Sequence, residues 1–182
     1  PDDAFVISFR INGGQYKGAE YLQEMLRRID PSKLKKKLCV IAIELPGMLD
    51  EFKNKFQIVE YDWSDDPTFL IDMYNASDIF LMPSMADAFG MMAVEAMSCG
   101  TPVIVFEGTA LPGVVDAPRV GIAVPRADAV ALTKAVESLL NNSEEREERG
   151  RLSRALVEER YSLPRYLSSL KSVYEGVLEK WG

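Results

Sequence analysis

Predominantly apolar, β-prone runs recur along the first two thirds of the chain, most of them followed by a polar turn and then by a stretch with apolar residues at helical spacing. Residues 4–9 form the first run, Asn12-Gly13-Gly14 supplies the turn, and Leu22, Met25, Leu26 and Ile29 then share one face of a helix over 19–29. The alternation predicts further strands over 38–45, 57–61, 78–82, 102–106 and 121–124. Between them it predicts a short helical piece near 49–53 and helices over 67–76 and 89–98, with Pro67 suited to a first turn and Gly100 to a helix end. Val/Ile/Leu-rich strands joined by helices cannot be hairpins. The pattern therefore predicts an α/β, Rossmann-like parallel sheet with helices on both faces.

After residue 126 the strand signal stops and a helical C-terminal segment is expected, with helices over 127–140, 144–161 and 164–181. Ser143, before Glu144 and Glu145, reads as the N-cap of the second. The run Glu144-Glu145-Arg146-Glu147-Glu148-Arg149 reads as a solvated helix face, with Glu145 and Arg149 as an i,i+4 pair. In the last helix Leu167, Leu170, Tyr174, Val177, Leu178 and Trp181 fall on one side, a face that either covers this domain's core or docks on a neighbour.

Composition narrows the function. A chain of 182 residues suits one domain with a sizeable core, and a net charge of −7 argues against nucleic acid as a partner while leaving room for a local phosphate site. The absence of histidine excludes imidazole chemistry within the chain. Cys39 and Cys99 lack C-x-x-C spacing and are expected to be buried, reduced thiols. The longest apolar stretches, 38–43 and 102–106, are too short to span a bilayer, so the chain reads as cytoplasmic. The lysine-rich stretch 33–37 reads as a solvated loop.

In open parallel sheets ligands bind outside the carboxyl ends of the strands, which directs attention to two strand-to-helix junctions. The first, residues 9–18, carries Arg10 at the end of the first strand and Lys17 just before the first helix. The glycine pair between them lets the loop fold back so that both cations approach one point, as a diphosphate requires. The second junction follows the strand over 78–82. There Gly90 allows close approach to the backbone, and the amides of Gly90, Met91 and Met92 at a helix N-terminus suit an anion. Glu95, one turn into an otherwise apolar helix, needs a partner such as a ribose diol. Asp87 is placed either to accept from sugar hydroxyls or to cap the helix. The side chains of Met91, Met92 and Met97 are expected to fill the core. Trp63, after the third strand, is placed to border a nucleobase.

Asp87 and Glu95, with seven residues between them, resemble the signature acidic pair of the group 1 (family 4) retaining glycosyltransferases of GT-B fold. Pro83-Ser84, Phe89-Gly90, Glu95-Ala96-Met97 and Cys99-Gly100-Thr101-Pro102-Val103 are similar to that family's motif region, and the likeness extends back through Tyr74-Asn75-Ala76-Ser77-Asp78 and forward through Glu107-Gly108-Thr109-Ala110-Leu111-Pro112. The resemblance implies that Glu95 holds the ribose of a nucleotide-sugar donor, that Asp87 contacts the transferred sugar and that Arg10 and Lys17 neutralise the diphosphate. Phe89, Gly90, Met91 and Met92 complete the implied donor-binding set, and no metal or other cofactor is expected. Two positions depart from the family's habit: Asp87 stands where Glu is usual, and Phe9 stands for the glycine before the loop arginine, narrowing the approach to the phosphates.

The resemblance also implies that residues 1–182 are the donor-binding half of a two-domain enzyme. The acceptor, a sugar or lipid-linked glycan, would be taken by an N-terminal domain outside this chain, with the full-length protein peripheral at the inner membrane. The start at Pro1-Asp2-Asp3, just before a core strand, fits a cut at an interdomain linker, and the fragment alone is expected not to transfer sugar. Segment 107–112 looks most like members that build bacterial surface polysaccharides. Two other readings are a non-catalytic nucleotide-sugar-binding or scaffold module, suggested by the shortened Asp87, and a nicotinamide-dependent enzyme, which lacks the expected glycine fingerprint after the first strand.

Overall fold

Among the described residues, six strands form one sheet: β1 (Ala4–Ile11), β2 (Lys37–Glu44), β3 (Gln57–Asp62), β4 (Ile79–Met82), β5 (Val103–Phe106) and β6 (Ile122–Val124). Every pairing is parallel and the spatial order is β3-β2-β1-β4-β5-β6. The chain thus steps outward from β1 to β3, returns to the centre with β4 and proceeds the other way, so the order reverses between β1 and β4. The computed structural model describes residues 3–14 and 16–181. Pro1 and Asp2, on which the reading of the chain's start rests, and the side chain of Trp181 lie outside the described residues.

Helices cover both faces, as a buried parallel sheet requires. On one side, Phe5, Ile7, Phe9 and Ile11 of β1 share a buried cluster with Leu22, Met25 and Leu26 of α1 (Ala19–Arg28) and Leu132 and Val136 of α5 (Ala129–Asn141). On the other, Val103 and Val105 of β5 meet Met73 and Tyr74 of α2 (Pro67–Asn75), Ala93, Ala96 and Met97 of α3 (Met91–Ser98), and Leu156 of α6 (Ser143–Arg160). Strand alternation places Phe9 on the same side of β1 as Ile7 and Ile11, fully buried in the core. Cys39 is buried and Cys99 half-buried, both as free thiols, and burial pushes the Cys39 thiol up.

Several boundaries differ from the sequence reading for identifiable reasons. A short α4 (Leu111–Val114) was not predicted; it is a single turn, too brief to show a helical period. Asn142, not Ser143, caps α6, accepting from the Glu145 amide. The acidic-basic run at its start is not wholly solvated. Arg146 pairs with Asp78 at 3.0 Å and lies over the Phe5 ring, while Arg149 donates to the carbonyls of Val120 (2.8 Å) and Pro118 (3.1 Å). These two positions, three apart, face the sheet while the glutamates between them face solvent.

The last helix, α7 (Leu163–Trp181), settles one alternative. Leu167, Leu170, Tyr174, Val177 and Leu178 are all exposed, and no described α7 side chain joins a buried cluster, so this face does not cover the domain's own core. No helix among the described residues is long and apolar enough to cross a membrane.

Candidate functional site

A cavity of about 350 Å³ opens where the strand order reverses, at the carboxyl ends of β1 and β4. Arg10, Lys17, Asp87, Phe89, Gly90, Met91 and Met92 all line it, together with Pro83 and Ser84. Residues separated by about eighty positions are thus brought to one wall. Glu95 is not part of this lining. It follows on the same helix, four residues after Met91 and three after Met92, on the face that continues from them.

Two glycines set the shape of the rim. Gly18, which caps α1 with φ +74°, lets the loop after β1 approach the loop after β4: a β-carbon there would fall 2.1 Å from the Pro83 carbonyl oxygen. The Met85 amide, donating to the Tyr16 carbonyl at 2.8 Å, ties the same two loops. Gly90 has φ +85° and caps α3, where a β-carbon would sit 2.3 Å from Leu111 Cδ2. Hence α3 begins at Met91 and not at Phe89. The first bonds into the Gly90 carbonyl come from the amides of Ala93 and Val94, so those of Met91 and Met92 precede the helical ladder and have no intrahelical partner. Met91 was expected to fill the core, but a residue in the first turn of a helix that abuts a cavity has no core to enter: its side chain is 60% exposed. Met97 is fully buried, as expected.

The two cations line one cavity but each holds a carboxylate. Lys17 Nζ pairs with Asp87 Oδ2 at 3.0 Å, while Asp87 Oδ1 accepts from the Phe89 amide at 3.2 Å. Asp87 therefore shapes the turn before α3 without capping the helix itself. Arg10 pairs with Glu44, and its guanidinium carbon stands 4.7 Å from the centre of the exposed Trp63 ring. Glu44 also accepts from Asn12 Nδ2 at 2.9 Å, and the Asn12 oxygen accepts from the Gly14 amide at 2.6 Å, so one carboxylate braces both the arginine and the glycine turn. The hydrogen bond from Arg10 holds the Glu44 carboxyl below the usual carboxylate range, against the upward pull of burial, with Asn12 assisting.

Half-buried Glu95 has a protein partner: the Tyr74 hydroxyl donates to its Oε2 at 3.0 Å. Burial, and then the negative charge of Glu95, push the Tyr74 phenol up, so it stays a donor. Glu44 and Tyr161, whose ring meets Phe89 edge-on, were not singled out in the sequence, and Tyr74 was noted there only as the start of the family-like segment 74–78, with no role given. Glu44 carries a legible signal: it is the charge that ends the apolar run of β2, and parallel register sets it beside Ile11, one residue after Arg10. The roles of Tyr74 and Tyr161 could not be read, because their partners lie on other elements. Among the described residues no group of three or more Cys, Asp or Glu side chains is arranged to hold a metal ion.

Residues 2–155 match the family model described as glycosyl transferases group 1. A capsular polysaccharide biosynthesis glycosyltransferase, CapM of Staphylococcus aureus, is 28% identical over 185 aligned residues, covering 98% of this chain and 48% of that protein. Among solved structures, sucrose-phosphate synthase from Thermosynechococcus elongatus superposes with a TM-score of 0.81 at 23% identity, over 99% of this chain and 47% of that one. HepE of Anabaena, in complex with UDP and glucose, does so with a TM-score of 0.79 at 15% identity, over 96% and 49%. At these identities the two structures bear on the fold, and the chain spans about half the length of each relative.

Proposed function

Because the chain belongs to the glycosyl transferases group 1 and forms one half of a GT-B fold, we propose that it is the donor-binding domain of a retaining, metal-independent enzyme of the family 4 type. The observation that carries this reading is the convergence of Arg10, Lys17, Asp87 and the amino end of α3 on one cavity at the switch point of the sheet. Two cations and a helix N-terminus form a site for a diphosphate, and a neighbouring carboxylate one for a sugar. HepE, which shares the fold, binds UDP and glucose, and CapM belongs to capsule synthesis; by likeness we assign a nucleotide-sugar donor and a role in bacterial surface polysaccharide. The acceptor is taken by a second domain outside this chain, and the reaction is cytoplasmic.

In this mechanism the donor's diphosphate displaces Asp87 as the partner of Lys17, and the freed Asp87 turns its acceptor oxygens to the sugar hydroxyls. The bond from the anomeric carbon to the diphosphate oxygen breaks, leaving the electron pair on oxygen. Arg10, Lys17 and the amides of Gly90, Met91 and Met92 stabilise that growing charge, the part a divalent ion would otherwise play. Glu95, held from one side by Tyr74, presents its other oxygen to the ribose. The acceptor hydroxyl gives up its proton to the leaving diphosphate oxygen as its own oxygen bonds to the anomeric carbon on the face that the leaving group vacated, so configuration is retained.

Calorimetric titration of this chain with UDP, GDP and ADP tests the reading. One nucleotide should bind preferentially, and binding should be lost in both Arg10→Ala and Glu95→Gln; binding that survives both changes would place the site elsewhere. Removing the Tyr74 hydroxyl is a finer probe, since a bond to a half-exposed carboxylate contributes about 1 kcal/mol. Tyr74→Phe should therefore weaken the preferred nucleotide about fivefold with the fold intact, and its deoxyribose form much less. Equal weakening of both forms would remove the ribose from Glu95.

A further inference from the structure

The rim of the cavity is held from behind by Tyr161, the residue that ends α6 just before α7. Its ring meets the Phe89 ring edge-on, with centroids 5.5 Å apart and planes at 87°. Its hydroxyl donates to the Val114 carbonyl at 2.9 Å, at the end of α4. Leu111, at the start of that helix, is fully buried and occupies the space that a β-carbon on Gly90 would need. One side chain therefore contacts Phe89, the residue before Gly90, and the helix whose Leu111 packs against Gly90. The amides of Met91 and Met92 follow at once.

We infer that Tyr161 is a positioning residue for the donor site, fixing where the first-turn amides of α3 point without touching the ligand. The inference rests on the reading of this cavity as the nucleotide-sugar site. Neither ring of the pair belongs to a buried cluster, and Phe89 is 40% exposed, so the contact adds little to the core and acts at the rim. Displaced amides lose charge stabilisation steeply because hydrogen bonds depend on direction as well as distance. The aromatic ring makes the contact to Phe89, and the hydroxyl makes the bond to α4.

The test separates affinity from stability in this chain. The nucleoside diphosphate preferred among UDP, GDP and ADP is titrated into the unaltered protein and into Tyr161→Phe, Tyr161→Leu and Leu156→Val, and each unfolding midpoint is recorded. Leu156 lies on the same helix, buried away from the cavity, and serves as a control for general loosening. Tyr161→Leu should bind about tenfold more weakly, Tyr161→Phe should recover to within about threefold, and Leu156→Val should lose midpoint but keep affinity. Unaltered affinity in Tyr161→Leu, or an equal loss in Leu156→Val, overturns the positioning role alone. No binding of any nucleotide by the unaltered chain overturns the donor-site reading, and the inference with it.

Discussion

Arg10→Ala in the full-length enzyme is expected to slow sugar transfer by about 10²-fold or more, the loss seen when one preorganised donor to a developing negative charge is removed. The same change should hardly alter stability. Arg10 pairs with Glu44, but both side chains keep contact with solvent, at 31% and 20% exposed, and a pair screened by water in this way contributes about 1 kcal/mol. After the substitution Glu44 keeps its bond from Asn12 and its access to solvent, so no buried charge is stranded. The contrast follows from what the guanidinium faces: a single carboxylate before the donor binds, a doubly charged diphosphate once it is bound. Single-turnover rates and thermal unfolding, measured on the same preparation, check both halves. Unchanged turnover would remove Arg10 from the chemistry; an unfolding midpoint that fell along with the rate would make it a structural residue instead.

How much of this was legible beforehand depends on where each residue's partner lies. The strands could be read because their apolar runs are local, and the acidic pair Asp87 and Glu95 because its spacing is local. Arg10 and Lys17 were found as cations at one sheet edge, but the carboxylates they hold come from other segments: Glu44 through the parallel register of β1 and β2, Asp87 through the approach of two loops at Gly18. Arg146 and Arg149 were read as solvated because their glutamate neighbours dominate the sequence window; only the packing of α6 shows which two positions turn inward. Met91 was placed in the core by its side-chain type, whereas its place in the first turn beside a cavity leaves it exposed. Hydrophobicity decides the inside of an element more reliably than its ends, and sites of this kind are built from ends.

Gly18→Ala is expected to cost both stability and binding, and Gly47→Ala, at a similarly positive φ, to cost stability alone. Both glycines adopt backbone angles that an L side chain resists, φ +74° and +94°, and that term should be about 1 kcal/mol at either position. They differ in what surrounds them. A β-carbon at Gly47 meets nothing within 4 Å, whereas at Gly18 it would lie 2.1 Å from the Pro83 carbonyl oxygen, closer than any real contact. The Pro83 carbonyl is backbone just after β4 and cannot swing aside as a flexible side chain would. Relief must come from separating the two loops, which moves Lys17 away from Asp87 and opens the cavity both of them line. The added cost should bring the total at Gly18 to roughly 3 kcal/mol, or a fall in unfolding midpoint of roughly 6–12 °C for a chain of this size. Nucleotide affinity should drop about tenfold or more in Gly18→Ala and stay level in Gly47→Ala. Equal behaviour of the two variants would mean that the loops give way without cost, and that their close approach does not build the site.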